Sequence, residues 1–167
     1  MKAPPTDHII FGEANPLHGT PLSRSAAIPP ALSEQFQSIE RKALPNASLS
    51  RVIFYINQNY MHRLTLDIVA KHVFLNKTYI SQLFSRHLDI SFVDYLESVR
   101  IANACSLLRS TSMSVAEIAK AAGYSSASYF TKAFKKRIGV VPSQYRSAAP
   151  EDPAFPRQTT QERVASL

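Results

Sequence analysis

A stretch of this chain is repeated about fifty residues further on, and that repeat limits the folds open to it. The first copy runs from Leu64 to Leu96 (LTLDIVAKHVFLNKTYISQLFSRHLDISFVDYL), the second from Met113 to Arg146 (MSVAEIAKAAGYSSASYFTKAFKKRIGVVPSQYR). Ala70-Lys71 falls on Ala119-Lys120 at an offset of 49, whereas Tyr79, Phe84 and Tyr95 fall on Tyr129, Phe134 and Tyr145 at an offset of 50. The second copy therefore has one extra residue in its turn. Each copy reads as a short helix, a tight turn and a second helix, and a duplicated unit of that kind points to a two-headed reader of DNA.

Apolar residues at helical spacing predict an all-α fold: seven helices forming two helix-turn-helix subdomains joined by a long linker helix. Ser48 or Ser50, Thr65 and Ser114 are the expected N-caps of three of them, and Pro142 is expected to open the last. The linker helix is expected from about Phe92 to Arg109, roughly 27 Å at 1.5 Å per residue. Leu96, Val99, Ile101, Ala102, Leu107 and Leu108 lie on several of its sides, as in a strut buried against both units. Three segments follow. Residues 1–46 read as a Pro-rich tail or linker with a weak helix at 33–44, residues 47–147 as the double helix-turn-helix domain, and residues 148–167 as a disordered tail.

Charge follows the same division. Residues 1–46 hold four basic and four acidic groups, 47–110 seven and four, 111–147 six and one, and 148–167 two and three. Positive charge thus gathers in the repeats, which suits a polyanionic partner such as double-stranded DNA.

In a helix-turn-helix the first helix needs a small residue where the second crosses it, and the turn needs a permissive position four residues later. Ala119 and Gly123 meet both needs. The first copy supplies Ala70 but places Phe74 where glycine would relieve the backbone, so its turn is expected to differ. With the apolar stripes inward, the helix after Asn76 presents Thr78, Ser81, Gln82 and Ser85, with Lys77 and Arg86 at its margins. The helix after Ser126 presents Ser126 itself, Ser128, Thr131, Lys132, Lys135 and Lys136. Hydroxyl, amide and ammonium groups are the types that reach base edges and phosphate oxygens in a major groove.

Catalytic readings find little support. Cys105 sits among apolar neighbours with no nearby group to activate a thiolate, so a core residue is expected rather than a nucleophile. The five histidines lack metal-ligand spacing, and neither a phosphate loop nor an acid/base pair is present. No metal, cofactor or enzymatic activity is expected. The first residues lack the apolar core of a signal peptide, and no apolar run is long enough to span a bilayer, so a cytoplasmic protein without membrane association is expected.

The string from Tyr95 onward resembles the signature of AraC/XylS-type bacterial transcription regulators. The matching residues are Tyr95-Leu96, Arg100-Ile101, Ala104, Leu107-Leu108, Ile118-Ala119, Gly123-Tyr124, Ser128-Tyr129-Phe130, Lys132, Phe134-Lys135-Lys136, Gly139, Pro142 and Tyr145-Arg146. The resemblance covers about residues 48–147 and implies two recognition helices in adjacent major grooves. Carried over by position, its base-reading places fall on Thr78, Ser81 and Gln82, and on Ala127, Ser128, Tyr129, Thr131 and Lys132. Lys77, Arg86, Ser126, Lys135 and Lys136 are the phosphate candidates. Lys132 stands where arginine is common in this family, and Ala127 has only a methyl group to offer a thymine.

The same resemblance implies activation through contact with RNA polymerase, and an N-terminal effector-binding or phosphoacceptor domain. About 46 residues precede the double helix-turn-helix domain, too few for either domain, so no small-molecule ligand is expected for this chain. A fragment, a regulator controlled by its abundance, and a protein switched from elsewhere all remain open. The competing expectation is a helical protein-interaction module that keeps the fold without binding DNA.

Overall fold

The computed structural model describes residues 27–148. The expected tail before residue 27 and the expected disordered segment from residue 149 on lie outside the described residues. Eight α-helices and no strand occur among the described residues, so the all-α reading holds with one helix more than the seven of the repeat region.

The additional helix is α1, Pro30–Ala43. Pro30 fills the first helical position, where its fixed φ is already helical and its missing N–H leaves nothing unpaired. Leu32, Phe36, Ile39 and Ala43 then recur at three- and four-residue spacing and are buried. Burying side chains the size of Leu, Phe and Ile contributes on the order of 1.5–3 kcal/mol each. The helix expected within a linker is therefore packed onto the core, with Ile28 ahead of it also buried.

The first unit follows. Helix α2, Ala47–Asn59, is capped by Asn46, whose side chain accepts from the Leu49 amide; the hydroxyls of Ser48 and Ser50 do not serve as the expected cap. Asparagine precedes both serines and takes the role first. Helix α3, Leu66–Val73, starts at the expected Thr65 cap. Helix α4, Lys77–Leu83, is capped by Asn76 and runs on as a π-helical turn over Phe84–Leu88. Phe84 and Leu88 are both buried in that turn.

Helix α5, Phe92–Ser110, is 19 residues long, about 28 Å, close to the expected strut. Ser91 and Asp94 close a reciprocal capping box at its start. Apolar and polar residues alike are buried around it, including Ser98, Asn103 and Ser106, whose side chains bond to carbonyls four residues back. With 13 of its 19 residues buried, the helix keeps only a narrow wet face, so its position is fixed by the units around it.

The second unit repeats the first. Helix α6, Val115–Ala121, opens on a capping box of Ser114 with Glu117. Helix α7, Ala127–Ile138, is capped by Ser126, and α8, Pro142–Ser147, closes the unit. Three residues separate α3 from α4 and five separate α6 from α7. In both turns the same backbone bond recurs, Leu75 N–H to the Ala70 carbonyl at 3.0 Å and Tyr124 N–H to the Ala119 carbonyl at 2.9 Å. Each unit also closes on an aromatic cluster. Phe84 packs against Phe92 and Tyr95 in the first, and Phe134 against Phe130 and Tyr145 in the second.

Candidate nucleic-acid interface

Helices α4 and α7 bury matching stripes and leave matching faces in solvent. On α4, Ile80 and Leu83 point inward while Lys77, Thr78, Ser81, Gln82, Ser85 and Arg86 are exposed. On α7, Phe130, Ala133, Phe134 and Ile138 are buried while Ala127, Ser128, Tyr129, Lys132, Lys135 and Lys136 are exposed. Thr131 is half-buried and its hydroxyl donates to the Ala127 carbonyl at 2.9 Å, which leaves only its acceptor lone pairs for a ligand.

Several of these side chains already have partners. Lys77 Nζ lies 3.0 Å from a carboxylate oxygen of Asp67 on α3, an exposed pair of the kind worth at most about 1 kcal/mol and readily exchanged for a phosphate. Ser126 accepts from the Tyr129 amide at 3.3 Å as the cap of α7, and keeps its hydroxyl proton for a phosphate oxygen. Asn76 does the same capping work on α4, accepting from the Thr78 amide at 2.7 Å. Tyr129 is 61% exposed, with its ring centroid 6.0 Å from that of Tyr124. Lys132, Lys135 and Lys136 stand free of ion pairs with any described residue.

The relative placement of the two units depends on residues outside the expected interface. Arg100 of α5 donates to the Tyr60 and His62 carbonyls, 2.9 Å each, and its guanidinium lies 5.6 Å over the Tyr124 ring. It thereby joins the end of α2 to the turn of the second unit. Gly123 lies in that turn at φ +84°, and a Cβ there would come within 2.6 Å of the Tyr60 carbonyl oxygen. The sequence marked Gly123 for its backbone freedom; its close approach to the first unit was not legible.

Cys105 is fully buried, and burial pushes its thiol from 9.0 up to about 12, against the opposing pull of Tyr145 and Arg109. A thiol so held is protonated at neutral pH and unsuited to nucleophilic attack. Among the described residues no group of three or more His, Cys, Asp or Glu is placed to hold a metal ion, and no helix is long and apolar enough to cross a membrane.

Comparison with known proteins agrees with this geometry. A family model described as a helix-turn-helix domain matches residues 69–148. The C-terminal domain of AraT, a response regulator from Geobacillus stearothermophilus, superposes with a TM-score of 0.60 at 32% identity, over 71% of this chain and 96% of that domain. A transcriptional regulator with an AraC-type DNA-binding domain from Chromobacterium violaceum superposes with a TM-score of 0.62 at 25% identity, over 66% of this chain and 98% of that one. The chain belongs to the AraC-type helix-turn-helix transcription regulators. Among AraC-type relatives, the melibiose operon regulatory protein of Escherichia coli is 37% identical over 98 residues, 59% of this chain and 32% of that protein. The chain thus spans about a third of the length of that relative.

Proposed function

We propose that this AraC-type chain is a sequence-specific DNA-binding regulator whose α4 and α7 enter two adjacent major-groove segments of one duplex. The observation that carries the reading is the matched pair of exposed polar faces on α4 and α7, held by one helix of 19 residues of which 13 are buried. Successive major-groove faces are about 34 Å apart, which a strut of about 28 Å plus the width of the units can bridge. Thr78, Ser81 and Gln82 read one half of a site of about 20 base pairs, and Ala127, Ser128, Tyr129, Thr131 and Lys132 read the other. Lys77, Arg86, Ser126, Lys135 and Lys136 hold phosphates. Activation through RNA polymerase rests on family resemblance, and transcription in vitro from a promoter carrying the selected site tests it.

Selection of bound duplexes from a random pool, followed by footprinting, tests the DNA reading directly. A bipartite site whose affinity falls with salt at a log-log slope near −5 is expected for about six phosphate contacts. Weak binding without salt dependence would instead favour the protein-interaction module.

A further inference from the structure

Arg137 sits in the wrong place for a surface cation. At about 100° per residue it falls in the middle of the inward stripe of α7, between Phe130, Ala133, Phe134 and Ile138, and on the opposite side of the helix from Lys132. A charge turned inward is retained only with partners, because an unpaired one costs several kcal/mol. Arg137 has two such partners. Its guanidinium donates to Gln35 Oε1 of α1 at 2.6 Å and to the Ser98 hydroxyl of α5. Ser98 in turn donates to the Asp94 carbonyl at 2.7 Å, which fixes the hydroxyl that Arg137 meets.

Helix α1 is thereby a strap across both units. Towards the second it is held by Gln35 to Arg137 and, just before the helix, by the Ala27 carbonyl accepting from the Tyr145 hydroxyl at 2.8 Å. Towards the first it places Phe36 edge-on to Tyr95, centroids 6.3 Å apart, and Lys42 3.5 Å from Asp89. The opposite side of α5 carries the other fastening. Ser98 and Arg100 are two residues apart, about 200° around the helix, and Arg100 binds the end of α2 beneath the Gly123 turn. Two fastenings on opposite sides of a strut define an angle; one alone leaves a hinge.

We propose that Arg137 is a positioning residue: held between Gln35 and Ser98, it fixes the angle of α7 relative to α4 and so the half-site spacing the chain accepts. This rests on the DNA-reading function proposed above. Arg137 is turned away from the groove-facing side of α7. Its contribution is to the joint engagement of two linked heads, whose avidity disappears when geometry forbids simultaneous contact.

The test uses the full chain and the duplex selected by the unaltered protein, with variants of that duplex carrying one base pair added or removed between the half-sites. One added pair turns the second half-site by about 35° and costs the unaltered chain roughly tenfold or more in affinity. Arg137→Gln and Gln35→Ala are expected to bind the selected duplex about five- to tenfold more weakly, yet to lose less than threefold on adding or removing a pair. Binding to an isolated half-site should stay within about twofold, and Gln35→Glu, which restores an acceptor for the guanidinium, should recover the sharp spacing preference. Gln35→Ala leaves α7 intact and answers for the case in which Arg137→Gln unfolds. Variants that keep the unaltered spacing profile, or lose half-site and full-site affinity equally, overturn the proposal while leaving the DNA-reading function standing. An unaltered chain that selects no duplex overturns both.

Discussion

In the second helix-turn-helix unit both left-handed backbone positions are glycines, Gly123 at φ 84° and Gly139 at φ 93°. In the first unit the same two positions hold Phe74 and Asp89, both at φ 55°. An L-residue there costs roughly 1–2 kcal/mol, and aspartate bears it more easily than phenylalanine. The difference lies in what stands opposite. Phe74 is 91% exposed and meets nothing, so a large side chain is tolerated at the cost of strain alone. Gly123 abuts the Tyr60 carbonyl, so a side chain there would be strained and would also collide with backbone. The second turn is a contact between the units; the first is only a turn.

Four measurements break or sharpen this contrast. Gly123→Ala should have the largest effect, destabilising by about 3 kcal/mol from strain and overpacking together, with a melting temperature lower by about 10 °C in thermal circular dichroism. A fall of less than about 3 °C would mean that the Tyr60 contact yields, and that the units are less tightly joined than the structure has them.

Next come the two kinds of lysine on α7. Lys132→Ala should remove about 1–3 kcal/mol of base discrimination in one half-site, read from competition between selected and altered duplexes. Lys135→Ala or Lys136→Ala should weaken all sequences alike and reduce the salt slope by about 1. Unchanged base preference after Lys132→Ala would place another face of α7 in the groove.

Phe74→Gly should stabilise by about 1 kcal/mol in urea denaturation, since it relieves the left-handed strain and gives up no packing. Asp89→Gly should gain less. A loss of stability on Phe74→Gly would show that the exposed ring does pack in solution.

The smallest effect is alkaline. Burial raises the Cys105 thiol to about 12 and raises the Tyr95 and Tyr145 phenols in the same direction. A raised folded-state pKa contributes stability that is complete below the unfolded value and is lost as pH rises towards the folded one. Stability should therefore be level at neutral pH and decline from about pH 9 upward. Because Tyr95 and Tyr145 hold equivalent places in the two units, one shared transition is expected at pH 10; two separate transitions would show units that fold independently.

The helices of the repeat region were legible because each repeats apolar residues at helical spacing and most open on a recognisable cap. Thr65 and Ser114 cap as expected, and the long α5 falls within a residue of its expected bounds. The exposed faces of α4 and α7 followed from the same periodicity, since fixing the buried stripe fixes its opposite. Local signals misled at Asn46, where the serines at 48 and 50 looked as suitable. Other features were invisible for a different reason. Arg100 to Tyr60 and Arg137 to Gln35 join residues 40 and 102 positions apart, and no local pattern encodes such pairs. The half-buried Arg137 did leave one trace: it lies seven residues beyond Phe130, in the apolar register rather than in the cationic one.

Helix α5 buries 13 of its 19 residues, and both units pack against it. Severing the molecule within it would lay bare, on whichever fragment kept it, apolar side chains that the other fragment now covers. Loss of either head should then be seen as loss of the whole protein from the cell, never as a regulator reduced to half its site.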